Sequence, residues 1–206
     1  MSGMDLYVAL ALGVGLAAAS GFRVFIPPFL YGLATRFDLN PILVSDSGMQ
    51  EWMASDVGLA VLGAAVVCEL LAYYIPWLDN LLDTIASPAA VVGGVLLMST
   101  SLGEFEPALQ WSLSIIVGGT TSGSVQVTTV GVRALSTAST GGLGNPIVST
   151  MEAGACLLCT VLALLLPLLA LVLVLAGLGF GGRWLLRRRG AKASDARLSV
   201  PMNPQA

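Results

Sequence analysis

Histidine is absent from this 206-residue chain, and cysteine is scarce. Without histidine the protein lacks the commonest general base, the commonest metal ligand and the usual pH switch. The three cysteines, Cys68, Cys156 and Cys159, lie inside apolar stretches, where free thiols behave as small hydrophobic groups. The Cys156–Cys159 spacing is therefore a weak sign of redox or metal chemistry. Because the sequence shows no recognisable catalytic constellation, we expect neither an enzyme nor a cofactor.

Charged residues are also few. They make up only 10% of the chain, whereas 56% of the residues are hydrophobic and the mean hydropathy is +0.87. This composition excludes an ordinary soluble domain. A spanning helix uses about 20 residues, so the length allows about five to seven spans. The sequence predicts an all-α, polytopic membrane helix bundle over residues 1–182, followed by a basic tail over 183–206.

The charges are unevenly distributed along the chain. Three basic and eleven acidic side chains precede Arg183, whereas six basic and one acidic side chain lie from Arg183 onward. Positive residues that flank a span stay on the cytoplasmic side. We therefore expect a multi-pass protein of the inner (plasma) membrane with a cytoplasmic C-terminus, and a tail that is disordered after residue 190. The tail residues that set this orientation are Arg183, Arg187, Arg188, Arg189 and Lys192.

The lipid bilayer is the expected partner of the chain. The basic tail favours a weak attraction to anionic headgroups. Nucleic acid is not expected, because the basic run directly follows an apolar span. A homodimer is left open by the sequence.

Apolar runs divide the membrane domain into segments. The first, from Asp5, begins with an acidic residue instead of the basic start of a signal peptide, so we expect it to be retained. Leu78, Leu81, Leu82 and Ile85 share one helical face, which predicts an interfacial amphipathic helix. The predicted spans are residues 5–19, 24–37, 57–76, 89–101, 108–137 and 147–178, with the interfacial helix over 77–87.

Two of these segments carry helix-breaking signals. Ser20-Gly21 and the pair Pro27-Pro28 predict a broken helix near the N-terminus. The run from Gly118 to Ser124 is polar and Gly-rich, which favours a second break or a re-entrant segment. The long segment over 147–178 exceeds the thickness of a bilayer core, so we expect tilt or a kink at Pro167.

The same features suggest a candidate internal repeat. Each half has an apolar stretch, a Ser-Gly pair (Ser20-Gly21 and Ser122-Gly123) and then an Asn-Pro-Ile motif at residues 40–42 or 145–147. Each half ends in an apolar helix with one acidic residue. Such duplication is typical of transporters that bind substrates at broken helices near the membrane midplane.

Ionisable groups inside the predicted spans are the leading site candidates, since a charge at membrane depth persists only with a partner or with water. Glu69 and Glu152 are the acids, and the basic residues at comparable depth predict the pairs Arg23–Glu69 and Arg133–Glu152. One interpretation is structural ion pairing between helices, and the other is a functional polar pathway. The candidates are Ser20, Arg23, Glu69, Thr121, Ser122, Arg133 and Glu152.

Two further features have weaker functional interpretations. Asp79 and Asp83, with Glu69 one helix earlier, could offer oxygen ligands to a divalent cation. Two exposed carboxylates on an interfacial helix more often form a solvated face, so we predict no metal site. The pair Gly93-Gly94 favours close helix packing.

Four stretches of the chain carry a family resemblance: Ser20 to Phe25 with Pro27, Glu69 to Ala72 with Pro76, Leu78, Asp79 and Asp83, and Asn145 to Ser149 with Glu152. They resemble a bacterial membrane protein family known as domain of unknown function 4126. Where that family carries an Asp-Lys pair, this chain has Tyr73-Tyr74. The resemblance implies a membrane protein and no particular activity.

Two functions follow as hypotheses from these features. The first is a small transporter or channel for an ion or a small polar solute. It is motivated by the predicted broken helices, because non-helical backbone at membrane depth is tolerated only where it is buried or lines a cavity. The alternative is a non-transporting membrane scaffold or assembly factor, in which the same polar residues only join helices.

Overall fold

The computed structural model describes residues 3–39, 48–72 and 75–198, and within these residues the chain forms helices and no strands. The predicted all-α fold is confirmed. The elements are α1 (Gly3–Phe22), α2 (Ile26–Arg36), α3 (Gly48–Ala54), α4 (Asp56–Ala72), α5 (Pro76–Ser101), α6 (Pro107–Leu113), a π-helical segment (Ser114–Gly118), α7 (Gly119–Thr140), α8 (Asn145–Leu165) and α9 (Pro167–Leu198).

Helix α1 forms the centre of the bundle. It packs against α5, α7, α8 and α9. Its sequence is rich in alanine and glycine, and Ala11, Leu16, Ala17 and Ala19 are fully buried. Small side chains let neighbouring helices approach closely, which is how membrane helices pack in the absence of a strong hydrophobic driving force.

The surface and the interior have the polarity expected of a protein in lipid. Large apolar side chains are exposed along α4, α8 and α9, including Leu71, Leu158 and Leu173. Arginine and glutamate side chains are buried inside, the reverse of a soluble protein. Residues 84–101 and 145–165 are long and apolar enough to cross a membrane, and α3 with α4, bent by 71°, could form a third span. These helices indicate a membrane protein.

The first predicted break is present. α1 ends at Phe22, residues 23–25 are not helical, and α2 begins at Ile26. With 11 residues, α2 is about 16 Å long, roughly half of a bilayer core of about 30 Å. The 24–37 segment is therefore too short to cross as a helix on its own.

The second predicted break has a different form. Gly119 to Ser124 do not interrupt the helix, since they form the first turns of α7, and Gly118 ends the π-helical segment. The irregularity is the π-helical segment just before them, which joins α6 to α7. Because glycine and hydroxyl side chains here pack against α5, tertiary contacts outweigh their low helix propensity. With Ser122-Gly123 inside a helix and residues 40–42 outside the described residues, the internal repeat is not confirmed.

Two other regions differ from the sequence prediction. The interfacial helix over 77–87 and the span over 89–101 form one helix, α5, which includes Pro88. Close packing of Ala86 and Ala90 around Val24 holds this helix on both sides of the proline. The polar region between the second and third predicted spans contains the short helix α3.

The C-terminal segment also departs from expectation. As predicted, the long apolar run is interrupted at Pro167, where α8 gives way to α9. α9 then continues to Leu198, so residues 191–198, for which the sequence predicted disorder, are described as helical. Alanine, lysine, arginine and leucine dominate this stretch, and all four favour helices. Residues 199–206 lie outside the described part of the chain.

Candidate functional site

Four ionisable side chains lie together in the interior of the bundle. They are Arg23, Glu69, Arg133 and Glu152, which we call the charged cluster, and all four are buried. Arg23 follows α1, Glu69 lies on α4, Arg133 on α7 and Glu152 on α8. The cluster therefore connects four parts of the bundle that are distant in sequence.

Glu69 forms hydrogen bonds with the backbone of the non-helical segment between α1 and α2. Its Oε1 accepts the backbone N–H of Val24 at 2.8 Å, and its Oε2 accepts that of Phe25 at 3.1 Å. These amides precede the first turn of α2, where backbone donors have no intrahelical partner and a negative charge is favoured. Glu69 thus satisfies the backbone that the break leaves unpaired.

Glu152 lies between two arginines. The Arg133 side chain donates from Nε to Glu152 Oε1 and Oε2, at 3.2 and 3.0 Å, and from Nη2 to Oε2. Arg23 Nη2 lies 3.6 Å from Oε2 of the same carboxylate. This two-pronged contact from Arg133 is the geometry that makes arginine–carboxylate pairs strong.

Arg23 has a second attachment on α8. Its Nη2 donates to the backbone carbonyl of Ser149 at 2.8 Å and to the Ser149 hydroxyl at 2.5 Å. Ser149 was not among the sequence candidates. The signal that could have identified it is its position three residues before Glu152, which puts both side chains on one face of a helix.

The predicted ion pairs are partly reproduced by the structure. Arg133 and Glu152 contact each other as predicted. For Arg23 and Glu69 the described contacts differ, since Glu69 binds backbone amides while Arg23 binds Ser149 and approaches Glu152. The sequence could not show which group binds Glu69, because the unpaired backbone amides before α2 compete with arginine for its carboxylate.

Ser20 and Ser122 occupy a second, separate environment. Both are completely buried against the glycine pair of α5. A Cβ added at Gly93 would lie 2.6 Å from Ser20 Oγ, and one added at Gly94 would collide with Ser122 Oγ. We call this contact of α1, α5 and α7 the glycine seam. The packing predicted for Gly93-Gly94 is therefore present.

The seam hydroxyls bond to nearby backbone. Ser20 Oγ donates to the Ala90 carbonyl at 3.4 Å, and Ser122 Oγ donates to the Gly118 carbonyl, four residues earlier, at 2.9 Å. Thr121, next along α7, is also buried. The seven candidates thus separate into the charged cluster and residues at or beside a tightly packed helix contact.

An apolar groove, which sequence reasoning did not detect, opens beside the bundle. Its volume is about 910 Å³, and we call it the lateral groove. Ala18 and Phe22 of α1 line it together with residues of α7, α8 and α9. Thr120, Ser124 and Thr128 bring hydroxyls to one wall, but most of the lining is aliphatic or glycine.

The metal candidates gain no support from the geometry. The side chains of Asp79 and Asp83 lie outside the described part of the structure. Among the residues whose positions are described, no group of three histidine, cysteine, aspartate or glutamate side chains could hold a metal ion.

Comparison with known proteins places the chain in a family. No curated protein and no solved structure matches the sequence. A family model does match, over residues 10–188, which include the charged cluster, the glycine seam and the lateral groove. The chain belongs to the family described as domain of unknown function (DUF4126).

Proposed function

We propose that this protein is a small membrane transporter or channel for an ion or a small polar solute, with the charged cluster as its polar site. The supporting observation is that two arginines and two glutamates, the charged side chains that are buried among the described residues, lie together at a non-helical stretch of backbone. Burying such groups costs several kcal/mol on insertion scales. An ionisable side chain within a membrane-spanning bundle is therefore a candidate for a functional site.

The arrangement of the cluster suggests how a charged or polar solute is accommodated. Glu152 is held tightly by Arg133 and at longer range by Arg23. An anionic group competes with Glu152 for Arg23, whereas a cation or proton competes with the arginines for the carboxylates. Either exchange changes the contacts that join α8 to the break between α1 and α2, which is the kind of coupling a transport cycle needs.

A non-transporting scaffold or assembly factor is the second candidate, and the glycine seam favours it. Ser20 and Ser122, proposed from sequence to line a pathway, are packed against glycine backbone. The charged cluster also joins α4, α7 and α8 to the end of α1, as a purely structural network does. An enzymatic role is not proposed, since without histidine it needs carboxylate or metal chemistry.

Flux through reconstituted vesicles tests the first candidate. Purified protein in sealed liposomes is assayed for uptake of protons, alkali cations, chloride, phosphate and amino acids, against protein-free liposomes. The proposal expects uptake of at least one solute, and loss of that uptake in Glu152→Gln protein that retains its helix content. The matched control is Arg36→Gln, which removes an exposed ion pair with Asp56 and should leave uptake unchanged. Vesicles that stay impermeable to the whole panel favour the scaffold.

The proposed location follows from the sequence and is compatible with the apolar helices. We propose a multi-pass protein of the inner (plasma) membrane whose C-terminal basic segment lies in the cytoplasm. A homodimer within the bilayer is compatible with the exposed apolar faces of α8 and α9.

A further inference from the structure

Polar side chains continue from the charged cluster toward the turn that joins α7 to α8. On α7, Thr137 follows Arg133 by about one helical turn, and on α8, Asn145 precedes Ser149 by about one turn. Asn145 Nδ2 donates to Thr137 Oγ1 at 3.0 Å, so the two side chains meet between the helices. Residues one turn apart share a helix face, and this pair therefore lies between the charged cluster and the turn.

The exposure of the polar side chains increases in the same direction. The Arg23 side chain is completely buried, whereas those of Arg133 and Glu152 are 5% and 7% exposed. Thr137 is half-buried, and Thr140, the last residue of α7, is exposed. The rise from Arg133 to Thr140 is about 10 Å, roughly a third of a hydrocarbon core. A hydrated entry from this side is therefore short.

The opposite direction along α7 is closed by packing. Thr129 and Gln126, the next polar residues of the buried face, lead to Ser122 in the glycine seam. Just before α7, a Cβ added at Gly118 would lie 2.7 Å from the carbonyl oxygen of Gly94. Backbones this close exclude water. In this conformation the charged cluster is separated from one membrane face by the seam and from the other by a short polar stretch.

We propose that solute reaches the charged cluster from the membrane face of the α7–α8 turn, past Thr137 and Asn145, while the glycine seam closes the cluster to the opposite face. This entry rests on the proposed function, since it states how a transported solute arrives. The hydroxyl of Thr137 and the amide of Asn145 contact the solute first. They select a small solute that can exchange hydrogen bonds with neutral groups before it meets a charge.

Reaction of single cysteines with a charged, membrane-impermeant reagent tests this entry. The full-length chain, with its three natural cysteines replaced by alanine, is reconstituted in vesicles that hold trimethylammonium-ethyl methanethiosulfonate on both faces. Thr137→Cys is the entry variant. Leu135→Cys is the matched control, because Leu135 lies two residues away on α7 and has an exposed apolar side chain. Ser122→Cys reports on the seam, and circular dichroism verifies that each variant is folded.

Ser149→Cys is a second variant on the entry side. Ser149 lies about 6 Å farther from the turn than Asn145, so its reaction cannot be assigned to the membrane surface. The serine hydroxyl accepts a hydrogen bond from Arg23, and a neighbouring arginine favours the reactive thiolate of a cysteine at this position.

Thr137→Cys should react about tenfold faster than Leu135→Cys, because the thiolate that reacts forms in water and not in hydrocarbon. Ser149→Cys should also react faster than Leu135→Cys, and Ser122→Cys should be the slowest. Reaction of Thr137→Cys and Ser149→Cys no faster than that of Leu135→Cys overturns the proposal. Fast reaction of Ser122→Cys overturns it as well, because the seam is then open to water.

The labelling needs no transported solute, so failure of the entry can be distinguished from failure of transport. Slow labelling of Thr137→Cys and Ser149→Cys in a protein that carries solute across vesicles overturns the entry alone. Fast labelling in a protein whose vesicles stay impermeable supports the entry and contradicts transport.

Discussion

The Glu69 carboxylate accepts the backbone N–H of Val24 at 2.8 Å, and so joins α4 to the break between α1 and α2. This contact explains how a non-helical backbone exists inside an apolar bundle. Glu69 also accepts the backbone N–H of Phe25. Without the carboxylate, the amides of Val24 and Phe25 would be buried away from water with no hydrogen-bond acceptor, which is costly. Glu69 is therefore a structural requirement of the break, whatever else it does.

Glu69→Gln tests this role. Glutamine keeps one acceptor oxygen, so one of the two amides loses its partner, and the free energy of unfolding should fall by about 1 to 3 kcal/mol. The control is Asp56→Asn on the same helix, where an exposed pair with Arg36 contributes about 0 to 1 kcal/mol. Unfolding by dodecyl sulfate in mixed micelles measures both. Equal losses in the two variants would contradict the account.

The two arginines around Glu152 should contribute unequally. Glu152→Gln should destabilise the protein by about 3 to 5 kcal/mol, because it leaves two buried cations without their carboxylate. In double-mutant cycles with Arg133→Gln and Arg23→Gln, the coupling of Arg133 to Glu152 should approach about 3 kcal/mol and that of Arg23 should stay below about 1 kcal/mol. The order follows from direct hydrogen bonds in one pair and a 3.6 Å separation in the other. The reverse order would refute this assignment.

The glycine seam allows a rescue experiment. Gly93→Ala places a methyl group against Ser20 Oγ and should cost about 1 to 3 kcal/mol by overpacking. Adding Ser20→Ala removes the obstructing oxygen, since Ser20 Cβ would lie 3.9 Å from the new methyl group, so the double variant should regain most of the loss. Gly154→Ala on α8, where the added atom meets nothing within 4 Å, is the control and should be neutral or slightly stabilising. If the double variant is no more stable than Gly93→Ala, the contact with Ser20 Oγ is not the cause of the lost stability.

The basic segment predicts the orientation of the chain. A short epitope added after Ala206 should be protected from protease in sealed cells and become accessible when the cells are permeabilised. Replacing Arg183, Arg187, Arg188 and Arg189 by glutamine should yield a mixed population with part of the epitope exposed. An epitope cleaved in sealed cells carrying the natural sequence would contradict the cytoplasmic assignment.

Sequence reasoning reached the class of the fold and the identity of the buried charges for one physical reason. In lipid, a single charged residue inside an apolar run is conspicuous, so Glu69, Arg133 and Glu152 could be identified without a structure. The pair Arg133–Glu152 could be guessed because few partners exist. The atoms that Glu69 binds could not be predicted, since every residue except proline has a backbone amide and the sequence does not show which amides lack a partner.

Helix continuity was harder to predict than helix existence. Pro88 and the run from Gly118 to Ser124 are both unfavourable in an isolated helix, yet both lie within helices here. Packing against Val24 at one site and against Gly94 at the other outweighs the local preference. The lateral groove could not be predicted from the sequence either. It depends on where α7 and α9 separate and not on any single motif.

The account depends most on hydrocarbon being the surroundings of the exposed apolar side chains. Leu157, half exposed on the apolar helix α8, reports this directly. In a variant with Cys68, Cys156 and Cys159 replaced by alanine, a spin label on Leu157→Cys is measured in reconstituted vesicles. The account predicts strong relaxation by oxygen, which partitions into hydrocarbon, and weak relaxation by a water-soluble nickel chelate. Stronger relaxation by the chelate than by oxygen would contradict it.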